Sequence, residues 1–272
     1  QPARVIALPL SDNMAPHDPF VAGDALMHHR VRGVLGYHGN ELGRYQELYG
    51  KDDGAQSLAN PNFWALVNAQ FFYTNVNTVP FQGAKMVAGP VRNAAGTMTY
   101  LYQLPGANPA AWVVPMMVKL DDAAAKATVL NPLFDVKRVA IFDTAAAVTA
   151  MPVNSPLPDR LPFGVTITRY EPGAIDLRID GAVTAGSALV VSENYYPGWT
   201  AQVDGMPATT ARTDFTLIGV ELPAAAKAVS LRFDSATYRT GATVTRAALV
   251  LAALMLVVGV AMDRRRTPVP LS

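Results

Sequence analysis

From Ala247 to Met262 the chain reads AALVLAALMLVVGVAM, in which every residue is apolar or glycine. Extended back to Thr243, the stretch is broken only by Arg246. At about 1.5 Å per residue its roughly twenty residues span about 30 Å, the thickness of a bilayer's hydrocarbon core. Arg246 lies one turn from the start, where its stem carries the charge out to the headgroups. The run is apolar on all sides, whereas a helix packed on a soluble core is apolar along one stripe. Arg264, Arg265 and Arg266 follow at once. Cations concentrate on the cytoplasmic side of a span. The pattern therefore predicts a transmembrane helix at 243–262, a cytoplasmic tail at 263–272 and an extracytoplasmic globular part before them, in a cytoplasmic (inner) membrane whose bilayer is one partner.

Composition agrees with a chain that is partly out of water: charged residues are 16% of the total, against roughly 25% in soluble domains. Lys and Arg (22) nearly balance Asp and Glu (21). No basic stripe with interleaved aromatics appears, so nucleic acid is not an expected partner. The absence of cysteine excludes disulfides, thiolate metal sites and thiol chemistry. The opening QPARVIALPL has no basic n-region, apolar h-region or cleavage site, so an export signal is expected upstream of Gln1.

The Pro-rich stretch MPVNSPLPDRLP, at 151–162, forbids regular structure. It is expected to link a mixed α+β extracytoplasmic domain at 1–150 to an antiparallel β-sandwich domain at 163–240. On its C-terminal side, strands are expected at 164–170, 175–180, 188–194, 200–203, 215–221 and 228–233. The run IDLRID alternates apolar and polar residues, as a half-buried strand does. Asp204-Gly205 between two short runs marks a two-residue hairpin turn. On the N-terminal side, NPNFWALVNA reads as a helix over 60–69 entered through Asn60-Pro61. DDAAAKATVL reads as a second helix over 121–130 with acidic residues at its start. Strands are expected at 70–74, 97–103, 112–120 and 137–142.

No GxSxG, Walker or GxGxxG motif is present, which leaves hydrolase-elbow, P-loop and dinucleotide chemistry without support. The four histidines, His17, His28, His29 and His38, lack metal-ligand spacing, and they read as turn or surface residues. A glycoside hydrolase needs two carboxylates across a cleft, and the scattered acids display no such pair. Two stretches stand out as candidate substrate-binding surfaces. SENYYPGW gathers Glu193, Tyr195, Tyr196 and Trp199, whose aromatic faces suit stacking on sugar rings or packing over a core beside the Pro197-Gly198 turn. GYHGNELGRYQELY sets Glu41, Arg44, Tyr45 and Leu48 on one face of a short helix. There Tyr37, His38, Arg44 and Tyr45 form either a polar patch for a phosphate or sugar, or docking and surface-pairing residues.

In order, GYHGNELGRY, NPNFWALVNAQFFYT, NPAAWVV and SENYYPGWTAQVDG resemble the C-terminal region of bacterial YfhO-type membrane proteins, which also ends in a transmembrane helix. The resemblance covers most of the chain and is most specific at YYPGW followed by VDG. It implies a polytopic protein similar to the GT-C glycosyltransferases, which move a sugar from a polyprenyl-phosphate donor to a cell-envelope glycan acceptor. The acidic residue that acts in that class, with any divalent metal, would lie upstream of Gln1. No catalytic residue, cofactor or metal ligand is therefore expected in this stretch, which would hold the acceptor or shape the site. The rival reading is a non-enzymatic, membrane-anchored envelope module that binds a glycan or a partner.

Overall fold

The computed structural model describes residues 2–36 and 42–264. Residues 1–232 form one compact unit and 233–272 a second. In chain order the first unit begins with β1 (Arg4–Ala7), α1 (Ala25–His28), β2 (Arg32–Gly33), α2 (Gly43–Tyr49) and α3 (Pro61–Leu66). Next come β3 (Ala69–Thr74), β4 (Lys85–Arg92), β5 (Met98–Gln103), β6 (Ala111–Val114), β7 (Met116–Leu120), α4 (Asp122–Val129) and β8 (Val139–Asp143). Past the Pro-rich stretch lie β9 (Val165–Glu171), β10 (Ala174–Ile179), β11 (Ser187–Asn194), β12 (Trp199–Val203), β13 (Met206–Ala208), β14 (Thr210–Thr213), β15 (Leu217–Leu222) and β16 (Ala228–Phe233).

These strands make three sheets, largely antiparallel, with orders β2-β1-β3-β5-β4, β6-β11-β15-β14-β8-β7 and β13-β12-β16-β10-β9. The six-stranded sheet draws strands from both flanks of the Pro-rich stretch: β6 pairs with β11, and β8 with β14. Strand periodicity explains its place. In β6, Trp112 and Val114 face one hydrophobic cluster and Ala111 and Val113 the other; in β11, Ala188 and Val190 oppose Leu189 and Val191 in the same way. Alternate residues of a strand point to opposite faces, so a sheet apolar in both registers is covered on both sides. One cover is the first five-stranded sheet with α3, contributing Ile6, Phe63 and Phe72; the other is the third sheet, contributing Ile175, Leu177 and Leu231. Each fully buried aromatic or branched aliphatic side chain contributes roughly 1.5–3 kcal/mol.

Local signals set the elements. Asn60 accepts a hydrogen bond from the Asn62 backbone N–H and caps α3, with Pro61 in the first turn; Asp121 caps α4 through the Ala124 N–H. The expected 112–120 strand is two strands, because Pro115 between them cannot donate to a ladder. β7 and β8 run parallel, joined by the crossover that contains α4. Asp204 (φ 50°) and Gly205 (φ 81°) make the two-residue turn between β12 and β13, with Val203 opposite Met206. The expected 215–221 strand starts only at Leu217, since Asp214 (φ 46°) and Phe215 (φ 72°) occupy the left-handed region and turn the chain out of β14. β4 was not legible beforehand: Gly89-Pro90 interrupts it, and its register against β5 shifts on both sides of Ala88.

The second unit contains α5 (Ala236–Arg264), 29 residues long. It is long and apolar enough to cross a membrane, with mean hydropathy 2.3 over its most apolar window and none of that window buried in protein. It starts seven residues before the apolar stretch, and the Thr243 hydroxyl donates to the Arg239 carbonyl within that added first part. Of the expected cytoplasmic tail, Asp263 and Arg264 are the last residues of α5, and residues 265–272 lie outside the described residues.

Candidate functional site

The densest polar cluster in the compact unit centres on Glu193, near the end of β11. Its Oε1 accepts from the guanidinium of Arg4 on β1, from Arg32 Nη2 on β2 at 2.6 Å, and from the hydroxyl of Tyr170 on β9. Those four residues come from all three sheets. Tyr170 also donates its ring face, with the Arg32 guanidinium 4.4 Å above it, and Arg32 Nη2 bonds its hydroxyl oxygen. Burial, followed by the Glu193 charge, raises the Tyr170 pKa and keeps it a protonated donor.

Arg4 does a second task. Its Nη1 donates to the Val67 carbonyl at 2.9 Å, the Ser192 carbonyl at 2.7 Å and Ser192 Oγ at 2.9 Å. Val67 closes α3, so this cation sits where free carbonyls and the negative end of the helix favour it. Ser192 Oγ in turn donates to the Leu66 carbonyl at 2.6 Å. Arg4 is 12% exposed, and its charge is tolerated there because both Nη1 and Nη2 meet acceptors.

Beside this cluster opens a cavity of about 970 Å³, walled by the segment from Asp24 to Gly36, by α2, and by residues such as Leu58, Val67 and Leu217. Among the described residues, Arg4, Arg30, Arg32, Lys51 and the carboxylate of Asp24 line it. Most of the remaining wall is aliphatic or tyrosine. Tyr45 is one of these: its hydroxyl donates to the Val34 carbonyl at 2.9 Å, and burial raises its pKa.

The candidates named from sequence separate into groups. Tyr45 lines the cavity and Glu193 anchors its arginines. Arg44, on the same helix as Tyr45, turns elsewhere: it pairs with Asp122 at the start of α4 and lies 5.2 Å over the Phe215 ring. The Arg44 hydrogen bond lowers the Asp122 pKa, and Asp122 raises that of Arg44. Tyr195 and Trp199 pack against the core between the second and third sheets, while Tyr196 is 53% exposed at the turn. The Trp199 N–H closes that turn onto the Tyr196 carbonyl at 3.3 Å. Tyr37 and His38, with Glu41, lie outside the described residues. Arg4, Arg32 and Tyr170 were missed because nothing within a local window links positions separated by 138 to 189 residues.

The arrangement is suited to binding. The Glu193 partners are two arginines and a tyrosine, with no second carboxylate among them, and Ser192 Oγ is buried in structural bonds. Among the described residues no group of His, Asp and Glu is placed to hold a metal ion. Comparison with known protein families, with curated proteins and with solved structures returned no match.

Proposed function

We propose that this chain is the extracytoplasmic C-terminal portion of a membrane glycosyltransferase-like protein that draws on a polyprenyl-phosphate sugar donor. In this reading the compact β unit binds an acceptor or shapes the site, and the acting carboxylate belongs to a part of the protein before Gln1. α5 spans the inner membrane, with the arginines after Met262 on the cytoplasmic side. The observation that carries the reading is the cation-lined cavity, built on structural ion pairs, in a chain that also contains a helix long and apolar enough to cross a membrane. The YYPGW and VDG segments, which bear the resemblance, form consecutive turns flanking β12.

The reading is tested in two steps. Protease digestion of intact cells should remove the compact unit and spare α5; protection of that unit would overturn the orientation. Residues 1–240, purified, should fold and show no sugar transfer from a polyprenyl-phosphate donor, whereas the full-length protein should turn over. Turnover by 1–240 alone would refute the division of labour. A second reading, the non-enzymatic envelope module, is favoured by the engagement of Glu193 and Ser192 in structural bonds. It predicts no transfer by the full-length protein either.

A further inference from the structure

The six-stranded sheet is joined unevenly. β7 and β8 pair along their length, from Met116 opposite Val139 to Leu120 opposite Asp143, and α4 connects them into one lobe. Within the sheet that lobe meets its neighbour at a single register pair, Thr213 of β14 opposite Phe142. Three further bonds reinforce the junction, and all of them end on Ile141. Its carbonyl accepts from the Asp214 N–H at 2.7 Å and from the Thr213 hydroxyl at 3.1 Å, and its N–H donates to Asp214 Oδ1 at 2.8 Å. The far end of the lobe is held independently. Asn60 Nδ2 donates to the Leu130 carbonyl at 2.7 Å, and Asn62 Nδ2 to those of Asn131 and Phe134 at 2.7 and 2.9 Å.

Asp214 is the unusual member of this junction. It is fully buried, and its Oδ2 has no hydrogen-bond partner among the described residues. A carboxylate there would hold its charge away from water with one oxygen unanswered, whereas the carboxylic acid carries no charge. Asp214 and Phe215 also stand at φ 46° and 72°, a region that non-glycine residues leave when nothing holds them. The charged groups of the surrounding elements are engaged elsewhere. Arg212 of β14 pairs with Asp143 of β8, and Arg44 of α2, with Glu47 nearby, pairs with Asp122 of α4. Glu221 of β15 accepts from the Thr149 N–H, and Glu193 of β11 is held by Arg4 and Arg32. Lys119 stands on β7, one strand beyond β8 and opposite Phe142. β8, β14 and β15 contain no histidine or lysine, and burial leaves Asp214 as the group there that changes charge near neutrality.

We propose that this junction is a proton-operated latch: neutral Asp214 holds the β7–α4–β8 lobe on the sheet, and loss of its proton lets the lobe swing out at its Asp143 end while Asn60 and Asn62 keep the other end in place. Opening uncovers Met117, Ile141 and Phe142, each at most 1% exposed when the latch is shut. An acid that is neutral when shut and meets water when open binds more protons in the shut state, so opening rises with pH. The device belongs to the compact unit alone and operates whether or not the protein transfers sugar.

Hydrogen exchange of the full chain in detergent, read by mass spectrometry and divided by the intrinsic exchange rates, measures the opening. With the shut-state pKa at about 7 and 3.8 for the free group, the opening constant of residues 139–143 should rise about 10–100-fold from pH 5 to pH 8 and level off above about pH 7. Asp214→Asn keeps the shape and has no proton to lose, so its opening should stay within about threefold over that range. Thr213→Val removes the hydroxyl bond to Ile141 and should raise opening several-fold at both pH values. Low urea separates local from global opening, because sensitivity scales with the surface exposed. At pH 8, residues 139–143 should exchange at least about tenfold faster than residues 175–179 of the third sheet and respond less to urea. Coincidence of the two segments in rate and urea response would mean unfolding of the whole unit and overturn the latch. An equal rise in Asp214→Asn, or no rise in the natural chain, would overturn it as well. No effect of Thr213→Val would overturn the role of the Ile141 bonds. Should Asp214→Asn fail to fold, the pH profile and urea contrast of the natural chain still decide.

Discussion

Replacing Glu193 with alanine removes the acceptor on which Arg4, Arg32 and Tyr170 converge and leaves two guanidinium groups facing each other. Removing one member of a buried ion pair costs roughly 3–5 kcal/mol. Here Arg4 is 12% exposed, Glu193 24% and Arg32 29%, so water screens part of the interaction. With that discount, about 2–3 kcal/mol is expected. For a unit of this size each kcal/mol moves the melting temperature by roughly 2–4 °C, which gives a drop of about 5–10 °C. Thermal and urea unfolding of the full chain in detergent, followed by tryptophan fluorescence, would measure it. Tyr170→Phe removes a single donor and should cost about 1 kcal/mol. Glu193→Ala combined with Arg32→Met should cost clearly less than the sum of the two, because the second change removes a charge that the first leaves unpaired. A loss below about 0.5 kcal/mol for Glu193→Ala, or strict additivity in that cycle, would refute the idea that this carboxylate ties the three sheets together.

Three further outcomes follow from individual sites. Asp214 is fully buried, with Oδ1 accepting from the Ile141 N–H at 2.8 Å; burial outweighs that bond and pushes its pKa up to about 7, against 3.8 for the free group. The folded state therefore holds a proton that the unfolded state releases, so stability is full below about pH 4 and falls as pH rises towards 7. Asp214→Asn should flatten that slope and be the more stable protein at pH 8, by on the order of a few kcal/mol; an unchanged slope in urea melts across pH 4–8 would refute it. At Gly219 on β15 a Cβ would lie 2.6 Å from the ring of Phe142, which is fully buried and cannot yield, so Gly219→Ala should cost about 1–3 kcal/mol. Trp199→Ala should lose about 2 kcal/mol through lost packing between the second and third sheets. Unchanged stability together with lost glycan binding would move Trp199 from packing to recognition.

Much of the β architecture is legible because burial follows the period of the strand. In IDLRID, Ile175, Leu177 and Ile179 are 2–3% exposed while Asp176 and Arg178 face the partly solvated side. The start of the helix at Asn60-Pro61 and the Asp204-Gly205 turn are equally readable, since cap and turn chemistry lie within four residues, but that helix ends at Leu66, short of the expected 69, and Ala69 opens β3. β1, β2 and β4 are not. β2 has two residues and no period to detect, and Gly89-Pro90 masks β4. The site is harder still. Glu193 stands next to Tyr195, Tyr196 and Trp199 in sequence, yet its carboxylate bonds to residues of the first and third sheets, while Tyr195 and Trp199 pack into the core beyond. Adjacency along a chain that turns at Pro197-Gly198 says little about shared surroundings. Long-range pairing of Arg4 with position 193 has no local signature at all.

The strand order of the six-stranded sheet also sets when this chain can fold. β6 finds its hydrogen-bonding partner in β11, and the β7–β8 pair joins the sheet through β14, both beyond the Pro-rich stretch. A polypeptide emerging from its N-terminus carries the apolar faces of β6 and β8 uncovered until about residue 222 has followed. Such non-local pairing slows folding and leaves sticky intermediates exposed meanwhile. Only a few residues separate β16, the last strand of the compact unit, from the apolar helix. Completion of the compact unit therefore coincides with synthesis of α5, and a pause ahead of that point would strand a half-sheet.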